Sequence, residues 1–254
     1  MLFELSKFKE KYKLECTEIA YIGANNGQEI HNFNRIFNYP NIHLFEPQKN
    51  VYQDLYKKFN KFDNLKFYNF ALGSVTKDAE IFINSNNLNQ SSSILKPKDH
   101  LKIHKHIEFS GTESIKIHKF SDLSLKDVTF LNIDVQGYEL EVLKGCEEKL
   151  QNINFIVTEV NRKELYENCS LVNEIDDYLE QYNFIRIHTS WWENTIPWGD
   201  ALYIRKNNIN FAQLLFARLK IKVQSIKGYF FVIALPKKIK KFVIDFMSFS
   251  LLLL

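Results

Sequence analysis

Cysteine is scarce in this chain: Cys16, Cys146 and Cys169 are scattered, and no two form a C-x-x-C pair. That spacing excludes a disulfide framework and a cysteine-built zinc site, and it suits a reducing compartment such as the cytoplasm. An excess of one charge is lacking too. The formal net charge is only +3, too small to argue for a nucleic-acid partner. No charge-free stretch reaches the roughly 20 residues a membrane-spanning helix needs. The N-terminal segment MLFELSKFKEKYKLE has Glu4 within its apolar part, so it reads as no secretory signal. No internal repeat is visible. What remains is ordinary globular composition, 45% hydrophobic and 25% charged over 254 residues, enough for one α/β domain with an extension.

The stretch that organises the chain is 129–145, TFLNIDVQGYELEVLKG. Its apolar opening, 130–133, predicts a short buried strand. Asp134 follows at once, then a turn at Gln136 and Gly137. Leu140 and Leu143 then share one helix face, with Glu139 and Glu141 early and Lys144 late, as the helix dipole favours. An acid at the carboxyl end of a strand, with a helix leaving beside it, marks where open α/β sheets bind ligands. The alternative is an acid that only caps its helix.

The same architecture stands earlier in the chain. A strand over 18–22 runs into Gly23-Ala24-Asn25-Asn26-Gly27, and a helix is expected over 28–37. Glycines let backbone approach a ligand, and a helix start offers free N–H groups. The spacing is G-x-x-x-G, which fails the dinucleotide fingerprint and disfavours a NAD-linked oxidoreductase. A second strand over 42–45 ends in Glu46, about 20 residues beyond the loop, where an acid can accept both hydroxyls of a ribose. A third strand over 65–70 closes at Ala71-Leu72-Gly73, a small-residue exit that suits an adenine ring or a plain turn equally.

Strands are also expected over 80–84, 113–118, 154–160, 184–188 and 201–205, and a helix over 172–182. The polar stretch 85–110 reads as a long loop or insertion. Its histidines, His100, His104 and His106, lack carboxylate or cysteine company at ligand spacing, so no metal site is expected. Ser91, Ser92 and Ser93 could line a site. All three tryptophans, Trp191, Trp192 and Trp198, fall in one connection; one is expected to wall a binding site and the others to be structural.

Taken together, YIGANNGQE, HLFEP, NFALG, SSSIL, LNIDVQGYELEVLKG, IVTEV and WGDALYIR resemble, in order, the FkbM family of S-adenosylmethionine-dependent methyltransferases. The resemblance covers roughly residues 18–205. It implies a class I methyltransferase (Rossmann-like) fold: a seven-stranded sheet, helices on both faces and an antiparallel final strand. It implies that Gly23, Asn25 and Gly27 cradle the methionine part of the cofactor, that Glu46 holds its ribose, and that Asp134 sits by the sulfonium and amino group. Ala71, at the small-residue exit read above, is counted as a cofactor contact beside the plain-turn alternative. The family often has Asp where this chain has Tyr21 and Lys where it has Asn132.

The expected activity is therefore S-adenosylmethionine-dependent O-methylation of a hydroxyl, on a sugar, glycan or related polar metabolite, without a metal. A non-catalytic scaffold with a working tail is the alternative. Three strand-end residues, Asp134, Glu159 and His188, and Glu139 in the first helical turn after Gly137 are candidates for the base. Asp134 is committed to the cofactor's positive charge; His188 has a suitable pKa but lies toward the sheet edge; Glu159, beside the central strand, ranks first.

The enzyme domain is expected over 1–205, with a hydrophobic and basic extension over 206–254. In the extension a seven-residue apolar run ends at Pro236, Lys237-Lys238-Ile239-Lys240-Lys241 comes next, and 242–254 is again mostly apolar. That layout suits a segment lying on an anionic membrane surface, at the inner face of the membrane, or a helix packed on a protein partner.

Overall fold

The computed structural model describes residues 1, 3–84, 90–99, 101, 107–192 and 197–224. Its centre is a seven-stranded sheet built from β1 (Glu18–Ile22), β2 (Asn41–Phe45), β3 (Leu65–Tyr68), β7 (Val128–Ile133), β8 (Phe155–Asn161), β9 (Phe184–Trp191) and β10 (Trp198–Arg205). The order is β3-β2-β1-β7-β8-β10-β9. Neighbours from β3 to β8 are parallel, and β10 runs antiparallel to both β8 and β9. This is the expected sheet, with its final strand reversed.

Strand alternation sends successive residues to opposite faces. Ile19 and Tyr21 of β1 join one apolar cluster, with Leu5 of α1 (Leu5–Tyr12), Phe33 of α2 (Ile30–Phe37) and Phe59 of α3 (Lys49–Phe59). Ala20 and Ile22 join the other, with Val142 of α4 (Glu139–Lys144) and Leu179 of α5 (Val172–Gln181). Both faces are thus covered, which is why β7 and β8 read as nearly continuous apolar runs.

The expected third strand stops at Tyr68. Ala71–Leu72 (β4) instead joins β5 (Lys77–Asn84) and β6 (Phe109–His118) in a second sheet of order β4-β6-β5. That sheet lays Ile81, Ile115 and Ile117 on the α4 and α5 side of the core. Polar alternation in β5 and β6 left these strands half-exposed in the sequence pattern, and nothing in it gave their partners.

Beyond β10, α6 (Phe211–Gln224) carries Ala217, Leu214 and Ile221 into the cluster that holds Ile185 and Ile187 of β9. Its other side leaves Phe211 80%, Leu215 48% and Leu219 40% exposed. No helix among the described residues is long and apolar enough to cross a membrane. The lysine cluster at 237–241 and the apolar run to 254 lie outside the described residues, as do His100, His104 and His106.

Candidate active site

A cleft of about 740 Å³ opens at the carboxyl ends of β1, β2, β7 and β8, within the size range of small-molecule sites. The turn after β1 forms its floor. Gly23 and Ala24 both donate from N–H to the Phe45 carbonyl at 3.0 Å, and Asp134 N–H donates to the Ile22 carbonyl at 3.0 Å. This stitching brings β1 and β7 so close that a Cβ on Gly23 would sit 1.8 Å from the Asp134 carbonyl oxygen, at a φ of +80°. Only glycine satisfies both constraints. Asn25 also takes a left-handed backbone, with φ +43°, and lines the cleft. Gly27 does not line it. A Cβ there would meet Phe59 at 2.6 Å and Ile30 at 2.7 Å, so this glycine serves the contact between α2 and α3.

Glu46 faces the cleft yet is only 3% exposed. Its Oε2 accepts the Asn25 N–H at 3.0 Å and its Oε1 the Gln48 N–H at 2.9 Å. Burial pushes the carboxyl up to about 7, against the pull of those two donors. Each oxygen has a further lone pair for a ligand hydroxyl. Phe70, Ala71 and Leu72 form an apolar wall beside it.

Across the cleft, Asp134 follows the last residue of β7 and Glu159 lies two residues before the end of β8. Gln136 Nε2 donates to Asp134 Oδ1 at 2.8 Å and to Glu159 Oε2 at 3.0 Å. Asp134 opens onto the cleft, whereas Glu159 is only 6% exposed. Burial, then the charges of Asp134, Glu139 and Asp200, push the Glu159 carboxyl well above its ordinary range. Burial also raises Asp134, with Gln136 opposing; cleft water screens that group far more than it screens Glu159. Glu139 stands behind the turn, where its Oε1 accepts the N–H groups of Val135 at 3.2 Å and Gly137 at 3.0 Å. Burial pushes it up to about 7.

His188 is not brought to the cleft. Its ring packs 4.7 Å from Phe8 and 5.3 Å from Phe3, with Lys220 Nζ at 3.5 Å from Nδ1. β9 turns that side chain toward α1 and α6, away from Asp134 and Glu159. Tyr21 points to the same side of the sheet, edge-on to Phe33 at 5.7 Å.

Two tryptophans border the cleft where one was expected. Trp192 and Trp198 stack with centroids 5.4 Å apart and planes 14° apart, and Trp192 is 50% exposed. Trp191 packs instead under the Arg162 guanidinium, 3.7 Å from its ring. Ser91, Ser92 and Ser93 line the opposite rim. Sequence reasoning passed over Gln136 and Tyr166. The first carried a signal, a residue caught between a strand-end acid and a glycine; the second carried none. Among the described residues no set of three or more His, Cys, Asp or Glu side chains could hold a metal ion.

Residues 22–186 match the family described as Methyltransferase FkbM domain. The chain is similar to the 2-O-methyltransferase NoeI of Sinorhizobium fredii, 25% identical over 178 residues that make up 66% of this chain and 72% of that protein. Among solved structures, Methyltransferase FkbM from Methylobacillus flagellatus aligns over 74% of this chain and 43% of its own, with a TM-score of 0.49 and 14% identity. This chain thus spans less than half the length of that structure. Magnesium protoporphyrin IX methyltransferase from Synechocystis, with bound SAM, aligns over 80% and 76%, with a TM-score of 0.48 and 8% identity. With well over half its length matched, the chain belongs to the FkbM family of S-adenosylmethionine-dependent methyltransferases.

Proposed function

We propose that the protein O-methylates a hydroxyl of a sugar, glycan or related polar metabolite, with Glu159 as the base. The observation that carries this is a buried carboxylate, Glu159, facing the same cleft as Asp134 and Glu46. The 2-O-methyltransferase activity in the name of the similar Sinorhizobium protein supports a hydroxyl acceptor, and the stacked tryptophans at the rim suit an acceptor with a flat apolar face.

The donor set fits the cofactor. Glu46 offers two carboxylate oxygens to the ribose hydroxyls, Ala71 and Leu72 an apolar wall to the adenine, and the turn at Gly23 and Asn25 close backbone to the methionine part. Asp134 balances its positive charge. S-adenosylmethionine supplies an electrophilic methyl on a positively charged sulfur. With that cofactor held, the cleft would position the acceptor hydroxyl beside it, and Glu159 would take the hydroxyl proton. Positive charge beside Asp134 opposes the burial that raises the Glu159 carboxyl above its ordinary range.

The C-terminal extension is assigned to the inner face of an anionic membrane. The exposed row of Phe211, Leu215 and Leu219 on α6 supports this, as do the lysine cluster and apolar runs later in the sequence.

The test is transfer of a tritiated methyl group from S-adenosylmethionine to glycans of cells lacking the gene. Label in an alkali-stable O-methyl sugar is expected. Label in an alkali-labile ester, on nitrogen, or nowhere would sink the reading.

A further inference from the structure

Gln136 is held through both its backbone and its side chain. Its backbone is left-handed, with φ +55°, a conformation that costs a non-glycine residue on the order of 1 kcal/mol or more. Ser93 Oγ donates to its carbonyl at 2.7 Å. Tyr166, fully buried, donates from its hydroxyl to Gln136 Oε1 at 3.0 Å. Its single hydroxyl proton is also claimed by the Ser91 carbonyl at 3.1 Å, and it is the two carboxylates, acceptors when ionised, that select the NH₂ end of the amide. One nitrogen carries two protons, and they go to one oxygen of Asp134 and one of Glu159.

The charges around this nitrogen have one sign on nearly every side. Asp134 comes from the end of β7, Glu139 from α4, and Asp200 from β10, where it stands directly across the ladder from Glu159. Like charges at such a position repel. The Met1 amino group lies 3.9 Å from Asp200 Oδ2 but is engaged with Glu29 at 2.8 Å. Among the described residues, Gln136 is the hydrogen-bond donor that Glu159 has.

We propose that Gln136 is a positioning residue for proton transfer: its locked amide binds Asp134 and Glu159 into one unit and holds Glu159 Oε2, leaving Oε1 aimed at the acceptor. The proposal rests on the assignment of Glu159 as base, but its test does not. A donated hydrogen bond favours the ionised form of a carboxylate, and two carboxylates sharing one donor titrate as a pair. Losing the amide therefore makes the Glu159 proton harder to remove.

The experiment follows the ¹³C carboxyl resonances of glutamate in the full chain against pH, without cofactor, with Glu159 assigned through Glu159→Gln. Two variants are compared with the parent. Gln136→Met keeps length but cannot donate; Gln136→Glu keeps an acceptor for Tyr166 and substitutes a third carboxyl. In both, the Glu159 midpoint should rise by about one pH unit or more, and the acid limb of the kcat profile should rise with it. Should Gln136→Met fail to fold, the near-isosteric Gln136→Glu decides alone. An unmoved Glu159 midpoint in the folded variants overturns the proposal. If the midpoint moves while Glu159→Gln keeps a normal kcat, the pairing stands and the base assignment fails.

Discussion

Gln136, in the turn after β7, and Glu159, near the end of β8, meet at 3.0 Å on one side of the cleft. The contact exists because β7 and β8 are parallel and in register, with Ile133 beside Thr158, so the residues just beyond those positions emerge side by side. Asp134, Glu139 and Asp200 stand around Glu159, and Tyr166 meets Gln136 from behind. On the proposed assignment, the contact with Gln136 gives the Glu159 carboxyl its direction. Four further relationships lead to measurable consequences.

Gly23→Ala should be among the most damaging single-atom-group changes in the chain. The added Cβ would lie 1.8 Å from the Asp134 carbonyl oxygen, in backbone with φ +80°. Relief requires β1 and β7 to part at the cleft floor. A loss on the order of 3 kcal/mol or more is expected in urea denaturation. An unchanged midpoint would show that the loop relaxes and that the close approach is not required.

His188→Asn should leave kcat near that of the parent, since the ring lies between Phe3, Phe8 and Lys220 and not in the cleft. Its consequence is for stability. Burial, with Lys220 and Lys11, pushes the imidazole from 6.5 down to about 4. The unfolded chain thus takes up a proton near pH 6.5 that the folded chain refuses, so this contribution is present above 6.5 and is lost as pH falls toward 4. Melting temperature followed over that window should fall less steeply in the variant. A large loss of kcat instead would return His188 to the mechanism.

Two truncations separate the contribution of α6 from that of residues 225–254. Removing 225–254 should leave a folded, cofactor-binding protein that no longer sediments with anionic vesicles. Removing 206–254 also takes away Ala217, Leu214 and Ile221, which share an apolar cluster with β9, and should yield a destabilised or insoluble product. If the shorter deletion is insoluble and the full chain ignores vesicles, the extension serves protein contacts.

Much of the sheet was legible because strands buried on both faces carry nearly continuous apolar runs, as in 130–133 and 155–157. Glu46 was legible through its distance from the glycine loop. The second sheet was not, since pairing between Ala71–Leu72 and the distant β6 leaves no mark on local periodicity. Nor was the role of Gly27, where the same residue type satisfies packing in place of a ligand. His188 misled for a related reason: a strand-end position says nothing about which face the side chain takes, and one residue decides it. Tyr166 reaches Gln136 from 30 positions away, a relation that only the folded chain contains.

Glu46 gives the most direct test of where the cofactor lies. Its carboxyl is pushed from 4.5 to about 7 by burial, so its contribution to stability is present below pH 4.5 and is lost as pH rises through 7. Ligand affinity should run the other way, because the ionised carboxylate is the stronger acceptor for two hydroxyls. The measurement is calorimetric titration of S-adenosylhomocysteine into the parent and Glu46→Ala on either side of pH 7. The parent should bind more tightly at the higher pH, and the variant more weakly by roughly 10- to 100-fold with its pH dependence gone. Equal affinity in the two proteins would contradict the assignment of this cleft edge to the ribose, and with it the orientation of everything placed across from it.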